Sequence, residues 1–320
     1  MNTQIKLAII AIAIVIPLAS LAITQTNSTS NNSTNENSKL QVVASATFLY
    51  EFSQNIGKEM IDVTLLVPMG ADPHDWEPTI RDTERLQKAD MIIVNGIGYE
   101  HWLNSLELSD IAGILVDTSN GISTLDSANH DEEKHDDHAK EDGHDDEDNH
   151  NHGVLDPHIW LNPVFAQLQV KNIANALSNS DPTNKNYYQS NAAIYNQKLN
   201  LLDTKIRTEL SGCKTDFITF HDAFSYFSEE YGLTQHTIIS STDSHGDVTP
   251  KTLEHIISLA RELNIKVIFA EENTSTKTSQ VIADEIGGKV LVLSPLEIVS
   301  DETYVEKMTH NLDSLKDALC

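Results

Sequence analysis

The sequence predicts an α/β protein of two lobes, each with a mostly parallel sheet flanked by helices, joined by one long rigid helix. Three observations carry this expectation. Short β-branched or apolar runs alternate with helix-forming stretches in two separate blocks of the chain. Between the blocks, Thr183 to Leu210 holds one uninterrupted helical pattern, long enough to span ~42 Å at about 1.5 Å per residue and so to bridge two bodies. A length of 320 residues with 39% hydrophobic content exceeds one average domain and can bury a sizeable core.

Residues 1–23 open with Lys6 and an apolar run from Leu7 to Ile23, broken only by Pro17 and Ser20, which reads as a signal peptide or membrane anchor. Residues 24–39 are rich in Asn, Ser and Thr, have too little apolar surface to pack, and read as a disordered linker. The first lobe, 40–182, has strand patterns at Leu40–Ala44, Ile61–Val67, Met91–Asn95 and Ile114–Val116. Helical patterns lie at Leu49–Lys58 and Thr79–Ala89, and a third runs from Pro163 to about Ser178. Within this lobe, residues 123–153 hold six of the fourteen His and a dozen acidic residues, a composition that predicts an unpacked loop. The linking helix, 183–211, carries Ala192, Ile194, Tyr195, Leu199, Leu202 and Ile206 at helical spacing. The second lobe, 212–320, repeats the alternation. Its strands are expected at Phe217–Phe220, Thr237–Ser240, Lys266–Ala270 and Lys289–Leu293, and its helices at Thr252–Asn264 and Thr278–Ile286, the latter closed by Gly287 in a left-handed cap.

A formal charge of -27 opposes binding to nucleic acid or to an anionic membrane surface and makes cations the natural partners. Cys213 and Cys320 are too few for a cysteine-based zinc site, although they permit one disulfide.

Three histidines sit where α/β folds bind ligands, beside strand ends or between prolines. His74 lies in Gly70-Ala71-Asp72-Pro73-His74-Asp75-Trp76-Glu77-Pro78, and His158 in Asp156-Pro157-His158-Ile159-Trp160-Leu161-Asn162-Pro163. His221 lies in Phe220-His221-Asp222-Ala223-Phe224. One such histidine would read as a hydrogen-bonded structural residue. Three point to a metal, because neutral imidazole is a preferred Zn2+ ligand and a fourth oxygen or nitrogen donor closes a tetrahedron. Glu271 and Glu272 follow a strand and are candidates to orient a ligand histidine. His101 and His245 read as surface or structural residues.

Taken in order, these motifs with the acidic His-rich loop between the first two resemble the zinc- and manganese-binding solute-binding proteins of ABC importers, from about Leu40 to Leu315. The resemblance implies metal held in the cleft between the lobes, with His74 and His158 from the first lobe and His221 from the second. Many relatives supply an Asp where this chain has Ser294, in Ser294-Pro295-Leu296-Glu297. A zinc-binding branch with a similar stretch uses the Glu, which assigns the fourth position to Glu297. Three imidazoles and one carboxylate favour zinc over manganese. The partners implied are the zinc ion, an ABC transporter permease, and the membrane through the N-terminal segment, on the outer face of the cytoplasmic membrane. The alternatives are a manganese importer component, an adhesin on the same fold, or a zinc-dependent hydrolase. The last lacks an H-E-x-x-H helix or an evident general base, so no enzyme is expected.

Deleting Asp126 to His152 should leave the fold and the tight site intact while slowing zinc loading, most at low ionic strength, where an acidic loop concentrates cations best. Stopped-flow loading at matched free zinc and two salt concentrations measures this; equal rates under all conditions would reduce the loop to a solvated insertion.

Overall fold

Two parallel four-stranded sheets organise the chain in the computed structural model, which describes residues 39–68, 71, 73, 75–106, 111–125, 155–239, 248–272 and 276–320. The N-terminal apolar segment, the linker up to residue 38, the His-rich stretch from 126 to 154, and His245 lie outside the described residues.

The first sheet comprises β1 (Leu40–Ala44), β2 (Ile61–Leu65), β3 (Met91–Val94) and β4 (Ile114–Asp117), in the order β2-β1-β3-β4. Val42 of β1 pairs with Val63 and with Met91. The continuous apolar run of β3 is buried at every position, as an inner parallel strand covered on both faces requires. Helices α1 (Thr47–Gly57) and α2 (Ile80–Lys88) make the crossovers. The start of α2 is fixed by Thr79 and Asp82, whose side chains and backbone N–H groups cap each other reciprocally.

The second sheet repeats the topology without a sequence repeat: β5 (Asp216–Thr219), β6 (Thr234–Thr237), β7 (Val267–Ala270) and β8 (Lys289–Val292) lie in the order β6-β5-β7-β8. In each sheet the chain reverses its direction of travel at one adjacent pair of strands, β1 and β3 or β5 and β7. Loops leaving such a pair diverge and open a crevice at the strands' C-terminal ends. Both crevices are held by a carboxylate. In the first sheet Glu100 accepts from Ser45 Oγ at 2.6 Å, Asn95 N at 2.7 Å and Gly96 N at 3.0 Å. In the second, Glu271 plays this part.

Between the sheets run α3 (Pro163–Ser180) and α4 (Lys185–Glu209). Asn162 caps α3 by accepting from Val164 N at 2.8 Å, with Pro163 in the first turn, where its missing N–H costs nothing. The linking helix α4 has 25 residues, about 37 Å. It begins two residues later than the sequence pattern suggests, because Asp181 caps a separate 3-10 turn at Pro182–Asn184. Tyr188, Ala192, Tyr195, Leu199, Leu202 and Ile206 form its buried face. Ile194, expected on that face, is 54% exposed, since it lies one residue, or about 100°, from the stripe.

Helices α5 (Ser225–Tyr231), α6 (Pro250–Glu262), α7 (Lys277–Ile286) and α8 (Tyr304–Leu319) complete the second lobe. Two of them, α5 and α8, lie outside the helices expected from the sequence, although Thr303 and Glu306 form a capping box that announces α8. The expected strand at Thr237–Ser240 is displaced to β6, because Gly232 ends α5 in the left-handed region (φ 68°) and the chain turns directly into the sheet. Gly287 closes α7 in the expected left-handed cap. One hydrophobic cluster runs through both lobes, from Val42 and Phe52 through Tyr195 and Leu199 to Phe217 and Leu312.

A disulfide joins Cys213, just past α4, to Cys320, at the end of α8, with Cα atoms 4.7 Å apart and a separation of 107 positions in sequence. Closing so long a loop restricts the unfolded chain, and replacing both cysteines by serine should cost about 2–5 kcal/mol. Urea unfolding of the metal-free protein reads this directly: the double variant's midpoint should fall, and an unchanged midpoint would remove the stabilising role.

A candidate metal centre between the lobes

The two crevices face the same space. His158 precedes the short 3-10 turn Ile159–Leu161 of the first lobe, and His221 follows β5 of the second. Both imidazoles are fully buried, with ring centroids 5.3 Å apart. Glu297, 9% exposed, arrives from the turn after β8 and brings Oε1 to 3.6 Å from His158 Nε2. One donor atom from each of His158, His221 and Glu297 lies within 4.8 Å of the others. Among the described residues, no other group of three or more His, Cys, Asp or Glu side chains meets that condition.

Each imidazole is turned by a carboxylate. Asp156 Oδ1 lies 2.7 Å from His158 Nδ1 and also accepts from the His158 backbone N–H at 2.9 Å. Glu271, directly after β7, contacts His221 Nδ1 through the same Oε1 that accepts from the His221 backbone N–H at 3.1 Å. Such a pairing fixes the proton on Nδ1 and directs Nε2 toward the shared space, the usual arrangement of a histidine that binds metal. Burial alone depresses an imidazole pKa; at His158 of the metal-free protein, however, the Asp156 and Glu297 carboxylates outweigh it and push the value up to about 10, so a bound cation would displace the proton from Nε2.

Of the four residues assigned from sequence, the structure brings three together; His74 lies outside the described residues. The flanks of its segment are anchored, Pro73 being buried and Trp76 packing edge-to-face on Trp102 at 5.8 Å. Of the two glutamates considered as orienting groups, Glu271 makes the contact, whereas Glu272 faces Lys307 at 4.0 Å. His101 is a surface residue 3.3 Å from Glu77. Ser294 accepts from Leu296 N at 3.1 Å within its own turn. Asp156 is not among the site residues expected from the sequence, although a carboxylate two residues before a histidine, across a proline, is a recognisable signal for this pairing.

The model of the family described as zinc-uptake complex component A, periplasmic, matches residues 42–318. The chain belongs to this family. A member from Bacillus subtilis, the high-affinity zinc uptake system protein ZnuA, is 41% identical over 293 residues, covering 89% of each chain. The crystal structure of the metal-dependent lipoprotein YcdH from Bacillus subtilis superimposes with a TM-score of 0.72 at 37% identity, covering 88% of this chain and 99% of that one. Zinc(II)-bound AdcA from Streptococcus pneumoniae superimposes with a TM-score of 0.72 at 28% identity, covering 88% of this chain but 57% of that one, so the family member described here spans little more than half of AdcA.

The His158 pairing has a consequence for stability. Because the folded value lies above the ordinary 6.5, the contribution of this group is fully present below pH 6.5 and is lost as pH rises through about 10. Asp156→Asn should remove most of that dependence. Thermal melts of both metal-free proteins, in buffers from mildly acidic to alkaline, should show a gap that narrows as pH rises; a constant gap would mean that Asp156 acts through packing alone.

Proposed function

We propose that this chain captures zinc(II) outside the cytoplasmic membrane and delivers it to the permease of an ABC-type importer, holding the ion with His74, His158, His221 and Glu297. The observation that carries the reading is the convergence of His158, His221 and Glu297 from both lobes, with a carboxylate behind each imidazole. Three neutral nitrogens and one carboxylate suit zinc, and two further carboxylates just outside them compensate its charge. Four protein donors leave no open position at which water could be activated, so the site serves binding rather than hydrolysis. The family match favours zinc uptake over the manganese, adhesin and hydrolase alternatives. Residues 1–23 would tether the chain at the membrane's outer face, within reach of the permease, and membrane fractionation with and without this segment tests that part.

Metal analysis of protein purified without added metal should return about one zinc per chain. Removing the carboxylate behind a ligand typically weakens binding by roughly 10- to 100-fold, and losing the ligand itself should cost more. In chelator-competition titrations, Glu271→Gln should therefore fall in that range and His221→Ala beyond it. Unchanged affinity in His221→Ala would sink the assignment.

A further inference from the structure

Glu297 is delivered by a turn whose backbone is bound at every polar group by side chains. Ser294, Pro295 and Leu296 together offer two N–H groups, proline having none, and three carbonyls. Ser294 N donates to Asn311 Oδ1 at 2.7 Å, and Asn311 Nδ2 donates back to Ser294 O at 2.7 Å. Leu296 N donates to Ser294 Oγ at 3.1 Å. The remaining two carbonyls are claimed by the first lobe: Trp160 Nε1 donates to Pro295 O at 2.8 Å, and Thr47 Oγ1 donates to Leu296 O at 2.9 Å. Leu296 is buried with φ 64°, a left-handed conformation that a branched side chain rarely adopts and that persists only where its surroundings enforce it.

The Leu296 carbonyl and the Glu297 N–H belong to one rigid peptide plane, so whatever holds that oxygen also sets the direction in which Glu297 leaves the backbone. Thr47 is the first residue of α1. Its hydroxyl reaches 249 residues along the sequence rather than capping its own helix, and its β-branch limits χ1, so the donor is held ready. Trp160 is also fixed, stacked on Phe48 at 4.4 Å and two residues from His158.

We infer that Thr47 and Trp160 are positioning residues for the fourth ligand: by binding the Pro295 and Leu296 carbonyls from the opposite lobe, they hold the Glu297 carboxylate on the ion. The inference rests on the reading of Glu297 as a zinc ligand. It also means that Glu297, a second-lobe residue by sequence, is registered against the first lobe and His158.

The test measures zinc affinity by chelator competition and the visible spectrum of the cobalt(II)-substituted protein, which reports ligand geometry. The variants are Thr47→Val, Thr47→Ser and Trp160→Phe, each alone and combined with Glu297→Gln. Thr47→Val keeps the shape of the side chain and deletes the donor; Trp160→Phe keeps the stacked ring and deletes its N–H. Each should weaken zinc binding roughly 10-fold and alter the cobalt spectrum, as the loss of an orienting partner does. Thr47→Ser should stay near the parent. Neither deletion should weaken binding further once Glu297→Gln is present, because the effect passes through that carboxylate. Unchanged affinity and spectrum in both donor deletions, with Glu297→Gln alone weakening binding, would overturn the positioning role and leave the ligand assignment standing. Equal losses in the Glu297→Gln background would overturn it too, since the residues would then act through the fold. If Glu297→Gln alone left binding unchanged, the ligand assignment would fail and the inference with it.

Discussion

Two imidazoles, each backed by a buried carboxylate, set the terms for the rest of the molecule. A carboxylate buried without a partner is costly, and a buried imidazole with the wrong tautomer turns a proton toward the ion instead of a lone pair. Asp156 with His158, and Glu271 with His221, answer both requirements at once. Asp156 sits two residues before its histidine, so one short segment carries the pair. Glu271 comes from another strand, so its pair exists only because β5 and β7 are neighbours at the point where the sheet reverses direction. The sheet topology is therefore part of the site's chemistry.

The helices keep those crevices opposed. The linking helix α4 lies against α3 and α1 of the first lobe and against α8 of the second, so one stiff element is shared by both cores. The start of α8 returns to the first lobe, where Glu51 of α1 accepts from Tyr304 N at 2.7 Å and from Tyr195 OH at 2.7 Å. Burial raises the Glu51 pKa, while the Tyr195 and Tyr304 donors pull the other way and favour its charged form at the helix N-terminus. Tyr304 OH in turn donates to Trp160 O at 2.6 Å, beside the His158 segment. These contacts tie the second lobe's last helix to the residues that carry the first lobe's imidazole.

Much of this was legible in the sequence where the signal is local. Strand β1 matches its sequence pattern to the residue and β3 to within one, because an apolar run between turn residues needs no distant partner to be recognised. His158 and His221 stood out because proline neighbours and a preceding strand mark such loops, and Glu297 was reached only through the family resemblance. What escaped depends on pairing across the fold. The position of β6 departs from the sequence pattern because Ile238 and Ile239 extend the apolar run past the sheet into the core, where they are buried without being strand. The bonds from Thr47 and Trp160 to the 295–296 carbonyls join segments more than a hundred residues apart, and no spacing rule announces them.

The disulfide described with the fold makes residues 213 to 320 a closed covalent ring. His221, Glu271 and Glu297 all lie inside it. A protease that cuts one exposed peptide bond anywhere in this stretch opens the ring without dividing it, so the pieces bearing these three side chains remain one molecule. The second lobe can thus lose backbone continuity and still keep its share of the centre attached to α4.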